Sequence, residues 1–152
     1  ISNPVLHDIV AHVPSISEDQ TTSDNQTTSD NQTTGAIDLE MMRQACKNFI
    51  GEHDFYCFAT RDANISSSKR TLFKCEIVKA SLPIFSNEVY YLEIEGDGFL
   101  KHMVRYIAAA LFELGRGNLG LSDINEALEN QRQDKLTAKA KSCGLHLIEV
   151  CY

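Results

Sequence analysis

The chain has 152 residues, 43% of them apolar and 23% charged, which suits one globular unit with a working core. No apolar run is long enough to span a bilayer and no secretory pattern is present, so the composition reads as a soluble intracellular domain, cytoplasmic or nuclear, with an organelle also open. A net charge of −7 and a pI near 5.1 argue at first sight against a nucleic-acid partner.

The charge is unevenly spread. Residues 1–37 hold five acidic side chains (Asp8, Glu18, Asp19, Asp24, Asp30) and no Lys or Arg, so they contribute −5 and leave only −2 for residues 38–152. Within this stretch Thr21–Gln26 (TTSDNQ) is repeated at Thr27–Gln32, a polar tract with nothing to bury. Residues 15–37 are therefore expected to be a disordered insertion.

From residue 38 onward the chain patterns regularly. Asp38 is a candidate N-cap, and Leu39, Met42, Ala45, Cys46, Phe49 and Ile50 recur at helical spacing until Gly51, which predicts a helix over 39–50. A compact aromatic segment follows at residues 53–58, then a polar loop through Ser68. Thr71–Ser81 and Glu88–Glu95 read as two strands of an antiparallel hairpin. Gly96-Asp97-Gly98 then opens a predicted helix over 99–115, on which Phe99, Met103, Ile107, Ala110, Leu111 and Leu114 form one apolar stripe. A third helix is expected from Ser122 or Asp123 to about Gln131, and Gly144–Tyr152 alternates as a final strand. This order predicts an α+β fold, an antiparallel sheet with helices packed on one face.

Few of these residues assemble into a recognisable chemical site by spacing. Gly96-x-Gly98 lacks the third glycine of a dinucleotide-binding turn, which Lys101 replaces, so the two glycines are expected to make a sharp turn with unusual backbone angles. The five cysteines form no C-x-x-C pair and read as reduced thiols; Cys143 and His146 supply only half of a zinc site. Glu93 and Glu95 share a strand face and read as solvated. Arg105 is the exception, because a guanidinium on a largely apolar helix calls for a carboxylate or phosphate, the alternative being a side chain that snorkels to water. Lys69, Arg70, Lys74, Lys101 and Arg105 make one thin basic set, and Lys135, Lys139 and Lys141 another; these are the candidate phosphate contacts.

Several motifs in order resemble one family. Met42-Arg43-Gln44-Ala45, Phe49–Phe55 (FIGEHDF), Arg70-Thr71, Gly98-Phe99-Leu100 with Met103-Val104-Arg105, Gly115-Arg116-Gly117, Thr137-Ala138 and Gly144–Tyr152 are similar to the second half of tRNA pseudouridine synthase A-type enzymes. The resemblance implies half of a two-lobed catalytic domain that isomerises uridine in tRNA without cofactor or metal. It implies that tRNA and the N-terminal half of the same protein are the partners, that residues 1–14 are the end of the passage connecting the two halves, and that residues 38–152 are the C-terminal half. The family's nucleophilic aspartate lies in an Arg-Thr-Asp-Gly-Val type motif that is absent here, since Arg70-Thr71 is followed by Leu72. By this similarity Arg105 is the supporting catalytic residue that pairs with an aspartate outside the chain. Phe99, Met103, Leu145 and Leu147 are the candidate substrate contacts, Leu145 and Leu147 matching the strand that lines the uracil pocket. Lys69, Arg70, Lys101 and His102 are the candidate RNA contacts. Lys139 departs from the family's Thr-Ala-Pro pattern, which predicts a local loop change. Expressed alone, such a half is expected to be inactive and to leave an apolar face uncovered, favouring self-association such as a homodimer. A catalytically inert module that docks RNA or a partner chain is the alternative, and an interaction domain without RNA is a third.

Overall fold

The computed structural model describes residues 5–13, 37–80, 89–129 and 134–151. The TTSDNQ repeats and residues 81–88 lie outside the described residues. Strand β1 (Val5–Val13) is followed by helix α1 (Leu39–Phe49), strand β2 (Gly51–Asp54), a 3₁₀ turn at Tyr56–Phe58, and strands β3 (Lys69–Ala80) and β4 (Val89–Gly96). Helices α2 (Met103–Gly115) and α3 (Leu121–Leu128), a second 3₁₀ turn at Ser142–Gly144 and strand β5 (Leu145–Cys151) complete the chain. The five strands form one sheet in the order β2-β3-β4-β1-β5, and every neighbouring pair is antiparallel. The α+β class expected from the sequence is the one observed.

The capping chemistry explains α1. Asp38 accepts a hydrogen bond from the Met41 N–H at 2.9 Å, and Gly51 takes the left-handed conformation (φ +103°) just beyond the last turn. Met42, Ala45, Cys46 and Phe49 bury one face against the sheet. There Phe49 and Phe58 meet edge to face at 5.3 Å, with Phe55 6.2 Å from Phe58. All three rings are buried, so truncating Phe58 to Ala would cost about 3–5 kcal/mol.

Two strands go beyond the sequence reading. Residues 5–13, expected to belong to a connecting passage, form β1 in the interior of the sheet, between β4 and β5. Their apolar positions do not alternate strictly because one extra residue sits between Leu6 and Ile9, opposite Gly96 and Ile94. β2 is only four residues long and lies inside the aromatic segment, too short to show a period of two. A second bulge, at Phe73 of β3, also lies opposite the end of β4, so both neighbours of β4 are irregular where it delivers the chain to α2.

Helix α2 starts at Met103 rather than at residue 99. Residues 98–101 are held in an irregular turn, in which the Thr60 N–H donates to Lys101 O at 2.9 Å and the Met103 N–H to Leu100 O at 3.0 Å. Helix α3, by contrast, starts earlier than expected, after Gly120, whose N–H donates to the Asp123 carboxylate at 2.8 Å. Gly96 and Gly98 do not have left-handed backbone angles. What Gly96 provides is close approach, since a Cβ there would stand 2.8 Å from Leu72 Cδ2 and 2.9 Å from the Thr71 carbonyl oxygen.

Candidate nucleic-acid interface

The unusual backbone conformation at this junction belongs to His102, the one non-glycine residue of the described chain with positive φ (62°). A histidine held there needs a compensating contact, and its Nδ1 is hydrogen-bonded to Thr60 Oγ1 at 2.8 Å. Desolvation holds its pKa below the ordinary 6.5, and the positive charges of Lys139, Arg105 and Lys101 push it the same way. Lys101, Arg105 and Lys139 thus place positive charge near the start of α2, which together with desolvation favours the neutral imidazole.

Arg105 lies in the first turn of α2 and is half-buried. Its Nε donates to Ala140 O at 2.7 Å, and the Ala140 N–H donates back to Arg105 O at 3.1 Å. The anion expected for this guanidinium is absent among the described residues, where its side chain meets a backbone carbonyl and no carboxylate lies within ion-pair distance. The terminal nitrogens of the fork thus keep their capacity for a bidentate anion.

The remaining basic candidates divide. Arg70 lies beside Gly98, and its Nη1 donates to Ser67 O at 3.0 Å and to Lys69 O at 2.6 Å. Lys69 and Lys101 are exposed. Asp97 links the start of β3 to the same turn, its carboxylate accepting from the Thr71 N–H at 3.0 Å. Lys74 does not join the cluster, because Glu93 and Glu76 hold its ammonium at 2.8 and 3.0 Å and keep its pKa raised. Beside the cluster an open cleft of about 560 Å³ is lined by Tyr56, Thr60, Arg61 and Leu100 among others, with the Arg61 guanidinium 5.0 Å from the Tyr56 ring centroid.

The expected substrate contacts also divide. Leu147 of β5 is 59% exposed, Leu145 is half-buried, and Phe99 is half-buried against the core. Met103 is 1% exposed, so its side chain serves the core and offers no surface to a ligand. Sequence reasoning did not place Lys139 with Arg105 and did not find Thr60, and Lys135, expected as a phosphate contact, instead directs its ammonium to the Tyr56 and Ala59 carbonyls. Residues 134–140 carry no regular element whose period could have pointed there. Among the described residues no group of three His, Cys, Asp or Glu side chains could hold a metal, and no helix is long and apolar enough to cross a membrane.

The domain is of the α+β class, with the positive charges of Lys101, Arg105 and Lys139 gathered near one turn. The comparisons with known proteins narrow that class. A family model described as tRNA pseudouridine synthase matches residues 45–152. The chain is 44% identical over 150 residues to tRNA pseudouridine synthase A 2 of Desulfotalea psychrophila, covering 99% of this chain and 51% of that protein. It is 34% identical over 114 residues to tRNA pseudouridine synthase A of Staphylococcus aureus, covering 75% of this chain and 40% of that one. The chain belongs to the tRNA pseudouridine synthase family, and it spans about half the length, or less, of these relatives.

Proposed function

We propose that the full-length protein isomerises uridine to pseudouridine in tRNA, and that residues 38–152 form the C-terminal half of its catalytic domain. In that reaction the bond from the ribose to the base nitrogen breaks, the base turns, and a bond to carbon 5 forms as the hydrogen there leaves as a proton and the freed nitrogen takes one up. Atoms balance without an added redox partner. The nucleophilic aspartate is assigned to the N-terminal half, and this half alone is inactive.

Arg105 is the residue that carries the reading. Ala140 fixes its Nε, and the rest of the guanidinium is left to pair with the aspartate of the other half. Lys69, Arg70, Lys101 and His102, joined by Lys139, contact the RNA backbone, while Phe99, Leu145 and Leu147 border the uracil pocket. The N-terminal half is assigned to cover the exposed apolar side chains Phe73 and Leu147, with a second copy of the chain as the other candidate partner.

Release of tritium from 5-tritiated uridine in tRNA by the full-length protein tests this. Arg105→Lys keeps a charge but loses the planar fork, and is expected to lower the rate at least 100-fold, about 2.7 kcal/mol of transition-state stabilisation, with the fold intact. A rate unchanged in this variant removes Arg105 from the chemistry. Salt-dependent tRNA binding with no tritium release from the wild-type protein would favour the inert docking module instead.

A further inference from the structure

The part of the cation cluster supplied from outside α2 comes from residues 134–141, a segment without helix or strand. Such a segment must be fixed at both ends if Lys139 and Ala140 are to hold their places beside His102 and Arg105. The far end is fixed by the two hydrogen bonds between Ala140 and Arg105. At the near end the half-buried Lys135 ammonium is held from several sides. Its Nζ donates to Tyr56 O at 2.9 Å and to Ala59 O, and lies 5.6 Å from the Tyr56 ring centroid and 5.2 Å from that of Tyr106. Two carbonyl acceptors and two ring faces replace the water an ammonium otherwise needs. Burial lowers the pKa of this lysine, in keeping with a group withdrawn from solvent.

The partners of Lys135 are neighbours of the site residues. Ala59 precedes Thr60, which holds Lys101 through its backbone and His102 through its hydroxyl. Tyr106 follows Arg105 in the first turns of α2. One ammonium thus ties together the turn at residues 56–60, the start of α2 and the loop that brings Lys139.

We infer that Lys135 is a positioning residue that clasps this loop and the Thr60 turn against Arg105 and His102 without itself touching RNA. The inference rests on the proposed uridine isomerisation for its kinetic consequence, but the clasp itself can be read without activity. In the full-length protein, Lys135→Met keeps the stem and removes the charge. It is expected to lower kcat for tritium release about tenfold while KM for tRNA stays within twofold. Lys135→Arg, which retains a charged multiple donor, is expected to recover kcat to within threefold of wild type. Leu136→Ala, on the same loop, controls for general loss of stability. Amide hydrogen exchange on the same proteins is expected to rise at least fivefold in peptides covering 55–61 and 134–141 in Lys135→Met, and to stay unchanged in α1. Unchanged exchange in both segments overturns the clasp, whatever the activity. If kcat is unchanged, or if KM rises tenfold at constant kcat, or if Leu136→Ala matches the kcat loss at equal melting temperature, the positioning role fails. A wild-type protein that releases no tritium refutes the proposed function, and the exchange experiment still decides the clasp.

Discussion

Arg105 and Ala140, 35 residues apart, exchange two hydrogen bonds, Nε to carbonyl at 2.7 Å and N–H to carbonyl at 3.1 Å. The pair fixes both the side chain and the backbone of Arg105 to a segment that approaches from the far side of α3 in the sequence. A guanidinium tethered at Nε has little rotational freedom left, so the direction in which it offers its remaining donors is set before any anion arrives.

The protonation of His102 should be readable in stability. Its folded pKa lies below the ordinary 6.5, so the unfolded chain takes up the proton first as the pH falls. The corresponding stability is fully present above the unfolded value and is lost as the pH drops through about 6.5 toward the lower folded value. Asparagine tolerates the left-handed conformation and does not titrate there. Melting curves from pH 8 to 5.5 should therefore fall more steeply for wild type than for His102→Asn. Parallel slopes would contradict the depressed pKa.

Salt dependence separates the free cations from the paired ones. Lys139 is exposed beside His102 and Arg105, whereas Lys74 is held by Glu76 and Glu93. Lys139→Ala in the full-length protein is expected to reduce the slope of log affinity for tRNA against log salt by about one, and Lys74→Ala to leave it unchanged. Equal slopes in both variants would exclude Lys139 from the RNA contacts.

Two glycines with crowded surroundings should differ in their response to alanine. At Gly96 the added Cβ meets the Thr71 carbonyl oxygen at 2.9 Å, a backbone atom that cannot step aside, and a loss of about 1–3 kcal/mol is expected. At Gly115, in α2, it meets Met42 Sδ at 2.6 Å and Ile37 Cγ2 at 2.7 Å, and a methionine can turn away while alanine improves helix propensity by about 1 kcal/mol. Thermal denaturation should rank Gly96→Ala as the more destabilised, and the reverse order would place the crowding elsewhere.

Thiol labelling offers a direct check on packing. Cys46, Cys57 and Cys75 are buried and Cys143 is exposed. The Cys46 side chain beside Cys75, together with burial, raises the Cys75 pKa well above its usual value, which disfavours the reactive thiolate. A short iodoacetamide pulse at pH 8 should alkylate Cys143 and spare the other three until denaturant is added. Labelling of Cys46 or Cys75 in the native protein would show that the α1–β3 packing opens.

Legibility in the sequence followed the range of the interactions. The α1 cap at Asp38 and the stripe Met103, Ile107, Ala110, Leu111 and Leu114 were visible because helical period and capping are local. The hairpin strands were visible because β3 and β4 are long and β-rich. The β1 strand was hidden by its bulge, β2 by its brevity, and the start of α2 by the apolar pair Phe99-Leu100, which continues the stripe but is pulled out of the helix through the Thr60 contact to Lys101.

The amino-acid sequence by itself determined the α+β class and the near-neutral charge of residues 38–152, and it singled out Arg105 as a guanidinium on a largely apolar helix, since each rests on composition, periodicity or the chemistry of one side chain. Only the tertiary structure decided that Lys139 stands with Lys101, His102 and Arg105, that Lys74 does not, and that Lys135 closes the loop behind them. The first and last of these depend on residues 35 to 79 positions apart meeting in space, and the Lys74 pairing on Glu93 of the neighbouring strand, and no local pattern records such a meeting.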